Sequence, residues 1–138
     1  MPRFLSIDDD EIFNFLNQRI LELSGTLGKL QPFTSARKAL DFLQAITAQP
    51  DQWPEMILLD IRMPGMDGFE FLDQFQQLPE ELTKKVKVFM LTSSIDERDR
   101  SRASTYPCVQ GYYSKPLTEA VFKKMVDTPL TPSLTDSR

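Results

Sequence analysis

Acidic, hydroxyl and basic side chains follow four short apolar segments of this chain. The polar positions are Asp8-Asp9-Asp10, Asp60, Thr92 and Lys115. Carboxylates are oxygen ligands of the kind that Mg²⁺ prefers. A hydroxyl can donate a hydrogen bond to a phosphoryl oxygen, and an ammonium supplies a compact positive charge for the same oxygens. If the fold brings these groups together, they suit the Mg²⁺-dependent handling of a phosphoryl group.

The apolar segments are the elements that must position these side chains. They are residues 4–7, 56–59, 86–91 and 109–113. Short apolar runs between helical stretches are typical of buried strands in a parallel sheet. In open α/β sheets, functional residues gather outside the carboxyl ends of the strands. We therefore expect the four polar positions to meet at one edge of the sheet.

The chain as a whole predicts five strand–helix units, which make a doubly wound α/β domain. A fifth strand-like segment is predicted at residues 29–33. The first helix is predicted at residues 11–23, where apolar residues at helical spacing are typical of an amphipathic helix facing the core. Those apolar residues are Ile12, Leu16, Ile20 and Leu23. We expect one domain over residues 1–127 and a disordered tail over residues 128–138, which are rich in Thr, Ser and Pro.

Composition narrows the possible functions. The net charge is -4 and the 16 basic residues are dispersed, which argues against a nucleic-acid partner. No apolar run reaches membrane-spanning length and no signal-peptide core follows Met1, so we expect no membrane partner. The single cysteine, Cys108, fits a reducing cytoplasm. The absence of histidine excludes His-ligated metal sites and Ser-His-Asp or Cys-His catalysis.

The acidic positions predict electrostatic repulsion between carboxylates. Asp8, Asp9 and Asp60 would lie at the ends of adjacent strands, where their carboxylates repel one another and raise at least one pKa. A bound Mg²⁺ would relieve this repulsion and favour ionised Asp60 as a nucleophile. Simpler interpretations remain: an acidic helix start for Asp8-Asp9-Asp10 and a turn residue for Asp60.

Four motifs occur together along the chain. They are Ile7-Asp8-Asp9-Asp10, Leu59-Asp60-Ile61-Arg62-Met63-Pro64-Gly65-Met66-Asp67-Gly68, Leu91-Thr92-Ser93 and Tyr112-Tyr113-Ser114-Lys115-Pro116. In this combination the chain closely resembles the receiver domain of two-component response regulators, the CheY-like family, over about residues 3–126. The resemblance implies a flavodoxin-like fold, a five-stranded parallel sheet of order 2-1-3-4-5 with helices on both faces.

The resemblance also implies roles for the acidic residues. Asp60 matches the phosphoacceptor, and Asp8 and Asp9 match the acidic pair that holds Mg²⁺ together with Asp60. The backbone carbonyl of Arg62 matches a further metal ligand. Beyond accepting and losing the phosphoryl group by self-catalysis, a receiver of this type is not an enzyme.

Other positions match the switch of the family. Thr92 matches the switch hydroxyl, and Lys115 matches the lysine that pairs with the phosphoryl group. Tyr112 matches the aromatic switch position, although the adjacent Tyr113 leaves open which ring moves. The family further implies a cis peptide bond between Lys115 and Pro116.

The resemblance implies a donor and an output. A phosphohistidine on a sensor histidine kinase or a histidine phosphotransfer protein would phosphorylate Asp60. The signal would reach an unknown effector protein through the face of the fourth helix, fifth strand and fifth helix, because residues 128–138 are too few for an output domain. The alternatives are a pseudo-receiver that is never phosphorylated and a phosphate sink without an effector. A phosphatase of the haloacid dehalogenase class is a further alternative. It is disfavoured, because it would need an aspartate as acid/base two residues after the nucleophile, where this chain has Arg62.

Overall fold

The computed structural model describes residues 2–129, which form five strands and six helices. The strands are β1 Arg3–Ile7, β2 Lys29–Phe33, β3 Met56–Asp60, β4 Lys87–Thr92 and β5 Val109–Ser114. The helices are α1 Glu11–Leu23, α2 Ala36–Ala45, α3 Gly68–Phe75, α4 Glu80–Thr83, α5 Glu97–Ala103 and α6 Glu119–Asp127. A 3-10 turn at Pro50–Gln52 precedes β3.

Polar N-cap residues fix where most of the helices begin. In every helix except α4, a side-chain oxygen just before the first turn accepts a hydrogen bond from a main-chain N–H group. The capping residues are Asp10, Ser35, Asp67, Asp96 and Thr118. Such caps satisfy donors that have no partner inside the helix. Five of the six described helices therefore begin directly after a polar cap.

All five strands are parallel and lie in the order β2-β1-β3-β4-β5, as the resemblance implies. Ile7 pairs with Leu59, and Asp60 pairs with Leu91. The carboxyl ends of the three central strands are therefore level. This register brings the residues that follow β1, β3 and β4 to the same edge of the sheet.

Two apolar layers cover the two faces of the sheet. Alternate residues of β3 point to opposite faces, so that Ile57 and Leu59 pack in one layer while Met56 and Leu58 pack in the other. The first layer contains buried residues of α2, α3, α4 and α5, and the second contains buried residues of α1 and α6. The predicted doubly wound α/β fold is thus confirmed.

Most of the apolar positions predicted at helical spacing in α1 are exposed, although Ile20 packs against the core. Ile12 is 66% exposed, and Phe15 and Leu23 are 62% and 59% exposed. The helix instead turns Asn14, Asn17 and Leu21 towards the sheet. Apolar periodicity locates a helix but does not decide which side is buried when polar side chains find hydrogen-bond partners inside. Here the two asparagines find such partners.

Smaller differences concern the element ends. Helix α4 begins directly after Pro79, and this helix was not predicted from the sequence. The predicted tail at residues 128–138 lies outside the described residues except for Thr128 and Pro129. Among the helices described, none is long and apolar enough to cross a membrane.

Candidate functional site

The carboxyl ends of β1, β3, β4 and β5 surround an open cleft of about 310 Å³. Three polar side chains at these strand ends, Asp8, Asp60 and Thr92, are buried. The cleft is lined by Asp8, Asp9, Asp10, Phe13, Asp60, Arg62, Thr92, Ser93, Ser94, Asp96 and Lys115. The structure therefore brings together the acidic, hydroxyl and basic positions that were predicted from the sequence to meet.

Lys115 joins the two buried carboxylates. Its ammonium nitrogen lies 2.5 Å from an oxygen of Asp8 and 3.2 Å from an oxygen of Asp60. The lysine side chain is only 6% exposed, and its nitrogen also lies 4.2 Å from the centre of the Phe13 ring. The peptide bond from Lys115 to Pro116 is cis, as the resemblance implies. The ammonium group is thus held at the centre of the cleft.

Burial raises the pKa of Asp60. The pKa rises from 3.8 to about 6, first because the carboxylate is removed from water and then because Asp8 repels it. Lys115 acts in the opposite direction without cancelling the effect. The predicted rise of a carboxyl pKa in the acidic cluster is therefore confirmed for Asp60.

A third carboxylate completes an acidic group that fits a divalent cation. One oxygen each from Asp8, Asp9 and Asp60 lie within 4.8 Å of one another, and Asp9 is exposed at the mouth of the cleft. Three carboxylates against the single ammonium of Lys115 leave a net charge of -2 when all are ionised. Oxygen donors with an excess negative charge suit Mg²⁺, which takes carboxylate and water ligands.

Asp10, the third acid of the triplet, has a different role. Its carboxylate accepts a hydrogen bond from the Ile12 N–H group and caps α1. The helix-start interpretation therefore applies to Asp10, whereas Asp8 is buried against Lys115.

The loop after Asp60 is shaped by two glycines. Gly65 has a φ of +79°, a left-handed backbone conformation that residues other than glycine rarely adopt. A Cβ atom at Gly68 would lie 2.6 Å from the Asp60 carbonyl oxygen, so only glycine allows α3 to start so close to β3. Asp67 and Glu70 then form a reciprocal capping box at the start of α3.

Arg62 connects this loop to α5. Its guanidinium lies 2.6 Å from a carboxylate oxygen of Asp99, and the arginine side chain is 68% exposed. Arg62 lines the cleft as predicted. The metal-ligand role of its backbone carbonyl stays a prediction.

The two residues expected to form the switch lie on neighbouring strands. Thr92 donates its hydroxyl hydrogen to the Ser94 carbonyl oxygen at 3.0 Å, so its side chain has a partner inside the β4–α5 loop. The Tyr112 ring is half-buried, with the Arg100 guanidinium 5.1 Å from its centre. Tyr113 packs on the other face of the sheet against Phe89. Tyr112 is therefore the tyrosine that contacts α5.

Sequence reasoning missed two residues that the structure places at this site. Phe13 lines the cleft beneath Lys115, and Asn14 donates a hydrogen bond to the Asp8 carbonyl oxygen at 2.9 Å. Both lie in the first turn of α1, directly after the acidic triplet. Their closeness in sequence to Asp10, at the amino end of a helix that begins beside the cleft, was the available signal.

Comparison with known proteins agrees with this geometry. The family model of the response regulator receiver domain matches residues 4–127. A two-component response regulator from Cytophaga hutchinsonii has a similar structure, with a TM-score of 0.86 and 36% identity, covering 92% of this chain and 95% of that one. The chemotaxis protein CheY4 of Vibrio cholerae, at 22% identity and a TM-score of 0.72, covering 91% of this chain and 96% of that one, shares the fold.

Two curated relatives are similar to this chain in sequence. The probable methanogenesis regulatory protein FilR2 of Methanothrix harundinacea is 31% identical over 123 residues, which cover 89% of this chain and 77% of the relative. The phosphate regulon transcriptional regulatory protein PhoB of Escherichia coli is 31% identical over 100 residues, 72% of this chain but only 39% of the relative. The chain belongs to the response regulator receiver domain family.

Proposed function

We propose that this receiver domain accepts a phosphoryl group on Asp60 in a Mg²⁺-dependent reaction and passes the signal to a partner protein. The donor is a phosphohistidine on a sensor histidine kinase or a histidine phosphotransfer protein. The observation that carries the proposal is the position of Asp60, whose carboxylate lies within reach of Lys115 and two further carboxylates. Family membership alone would not assign the acceptor residue.

The proposed reaction forms one bond and breaks one bond. A carboxylate oxygen of Asp60 attacks the phosphorus atom, and the bond between phosphorus and the donor's imidazole nitrogen breaks. The imidazole leaves with the bonding electron pair, and Asp60 becomes an acyl phosphate. The open cleft gives the donor access to Asp60. With a pKa of about 6, Asp60 is mostly ionised near pH 7 and available as the nucleophile.

The remaining polar side chains stabilise the charges of this reaction. Lys115 lies 3.2 Å from Asp60 and supplies a positive charge for the transferred oxygens. Asp8, Asp9 and Asp60, with the carbonyl of Arg62, would hold Mg²⁺. When bound, the ion neutralises the excess negative charge of the cluster and of the incoming phosphoryl group.

Phosphorylation then changes the partners of Thr92 and Tyr112. A phosphoryl group adds about -1 to -2 units of charge where one carboxylate stood. The Thr92 hydroxyl exchanges the Ser94 carbonyl oxygen for a phosphoryl oxygen, and the Tyr112 ring moves inward, away from Arg100. A complete switch, from 1:99 to 99:1, needs about 5.5 kcal/mol. One hydrogen bond to a charged group contributes about 1.5–3 kcal/mol, so Lys115 and the packing of Tyr112 must contribute as well.

The output surface is the face formed by α5, β5 and α6, which are the fourth helix, fifth strand and fifth helix expected from the sequence. The unpredicted α4 accounts for the shift in number. Tyr112 lies on this face beside Arg100, so its movement changes the surface that an effector protein meets. We assign residues 1–127 to the receiver domain and propose a cytoplasmic protein without nucleic-acid or membrane partners.

Incubation with acetyl phosphate tests the proposal. A gel that retards phosphoproteins should show a shifted band for the wild type with Mg²⁺, and no shift with EDTA or for Asp60→Asn. Asp67→Asn is the matched control, because it removes a half-buried carboxylate from the same loop and asparagine also caps helices. A wild type that takes up no phosphoryl group and does not bind beryllofluoride would contradict the proposal and favour an unphosphorylated pseudo-receiver.

A further inference from the structure

Helix α1 buries two carboxamides against the first strand. Asn14 and Asn17 are only 4% and 3% exposed, while Ile12 and Phe15 of the same helix face outward at 66% and 62%. A helix orientation that buried the apolar side chains would gain hydrophobic free energy. The observed orientation therefore needs a compensating set of contacts on its buried side.

The compensation is a chain of hydrogen bonds that ends at Asp8. Asn17 donates to the Ser6 hydroxyl at 3.0 Å, and that hydroxyl donates to the Asn14 side-chain oxygen at 2.6 Å. The Asn14 amide group then donates to the carbonyl oxygens of Asp8 and Phe33, at 2.9 and 3.2 Å. Turning the Asn14 amide over would place its oxygen against two carbonyl oxygens, so the network determines its orientation.

These bonds hold the main chain of Asp8 on both sides. The Asp8 N–H group donates to the Phe33 carbonyl oxygen at 3.0 Å, and the Asp8 carbonyl oxygen accepts from Asn14. With its main chain held in this way, the Asp8 carboxylate accepts from the Asp10 N–H group and pairs with Lys115. One oxygen of this carboxylate is thereby held at the Asp10 N–H group, and the other is directed at Lys115 in the cleft.

We propose that Asn14 is a positioning residue for phosphoryl transfer, which acts by holding the Asp8 main chain so that its carboxylate is directed at Lys115 and the metal position. This inference rests on the proposed function of the cleft. Asn14 touches neither Asp60 nor the transferred group, so its effect passes through Asp8. Residues that orient metal ligands typically change metal affinity or activity by about 10–100-fold when they are lost.

Asn17 supplies a matched control on the same helix. It is as deeply buried as Asn14 and belongs to the same network, but its amide reaches Ser6 and not Asp8. Asn14→Ala and Asn17→Ala should therefore both lower the melting temperature. Only Asn14→Ala should weaken Mg²⁺ binding, measured by calorimetry, and slow phosphorylation by acetyl phosphate, each by about tenfold.

A third variant covers the case in which Asn14→Ala does not fold. Asn14→Leu fills the same space with apolar atoms and removes the donor, so it should fold and still bind Mg²⁺ about tenfold more weakly. Wild-type Mg²⁺ affinity in a folded Asn14 variant would overturn the inference. Equal losses of affinity in Asn14→Ala and Asn17→Ala would also overturn it, since the effect would then be structural.

Amide hydrogen exchange separates this inference from the proposed function. The Asp10 N–H group donates to the Asp8 carboxylate at 2.9 Å, so its exchange reports the position of Asp8 without any phosphorylation. Exchange at Asp10 should be faster in Asn14→Ala and unchanged in Asn17→Ala. If these exchange rates are found but the wild type is not phosphorylated, the role of Asn14 in positioning Asp8 stands and the proposed function is refuted. Unchanged exchange in both variants would refute the role of Asn14.

Discussion

Replacing Asp60 by asparagine should stabilise the folded protein when Mg²⁺ is absent. The carboxylate of Asp60 is buried beside Asp8, and its pKa of about 6 lies above the ordinary value of 3.8. A group whose pKa is raised by folding binds its proton more tightly in the folded state. Its contribution to stability is therefore lost as the pH rises from about 3.8 to about 6, and ionised Asp60 opposes folding at pH 7.5.

The size of the effect follows from the pKa. A rise of about 2 units corresponds to about 3 kcal/mol. Water that enters the open cleft screens the carboxylates, so we expect Asp60→Asn to be more stable than the wild type by about 1–2 kcal/mol at pH 7.5. At pH 5 the folded Asp60 is largely protonated, and the advantage of the variant should be about half as large.

Urea unfolding of both proteins in EDTA, at pH 7.5 and pH 5, measures this difference. Asp67→Asn serves as the control and should leave stability nearly unchanged at both pH values, because asparagine caps a helix about as well as aspartate. Mg²⁺ at 100 times its dissociation constant should stabilise the wild type by about 2.7 kcal/mol and remove the advantage of the variant. Equal stability of Asp60→Asn and the wild type at pH 7.5, or an advantage that does not shrink at pH 5, would refute the electrostatic account of the cleft.

Three further predictions concern other parts of the domain. Thr92→Ala should still be phosphorylated but should lose most of the phosphorylation-induced NMR shift changes at Tyr112. Thr92→Ser keeps the hydroxyl and should keep these changes. Equal shift changes in the two variants would exclude the Thr92 hydroxyl as the switch. Lys87 donates to three carbonyl oxygens at the end of α6, at 2.9–3.1 Å, so Lys87→Met should cost about 1–3 kcal/mol in urea unfolding while the exposed Lys124→Met costs little. Burial raises the pKa of Cys108 to about 12, so iodoacetamide should alkylate it slowly at pH 8 in the native protein and rapidly in urea; mass spectrometry distinguishes the two, and fast native alkylation would contradict its burial.

The fold was largely predictable because its signals are local. Short apolar runs mark the strands, and polar caps such as Ser35 and Thr118 mark helix starts. The orientation of α1 was not predictable in this way. It depends on hydrogen-bond partners in other segments, the Ser6 hydroxyl and the Phe33 carbonyl oxygen. Whether burying an asparagine stabilises or destabilises the fold depends on whether such partners are present, and the sequence does not show them.

The site residues that directly follow a strand were predictable, because the strand ends determine their positions. Parallel strands in register bring Asp8, Asp60 and Thr92 to one edge, and Lys115 follows the strand beside them. The contact between Arg62 and Asp99 was not predictable, because the two residues are 37 positions apart and meet only through the placement of α5 against the loop after β3. Charge pairs between residues far apart in sequence leave no periodic signal.

The most direct test of the account is to locate the phosphoryl group on the chain. The wild type would be incubated with acetyl phosphate and Mg²⁺ and reduced with borohydride, which converts a phosphorylated aspartate into a stable homoserine that peptide mass spectrometry can find. We expect a single modified residue, Asp60, and no modification in EDTA. Modification of a different carboxylate, or equal modification with and without Mg²⁺, would contradict the assignment of this cleft as the phosphorylation site.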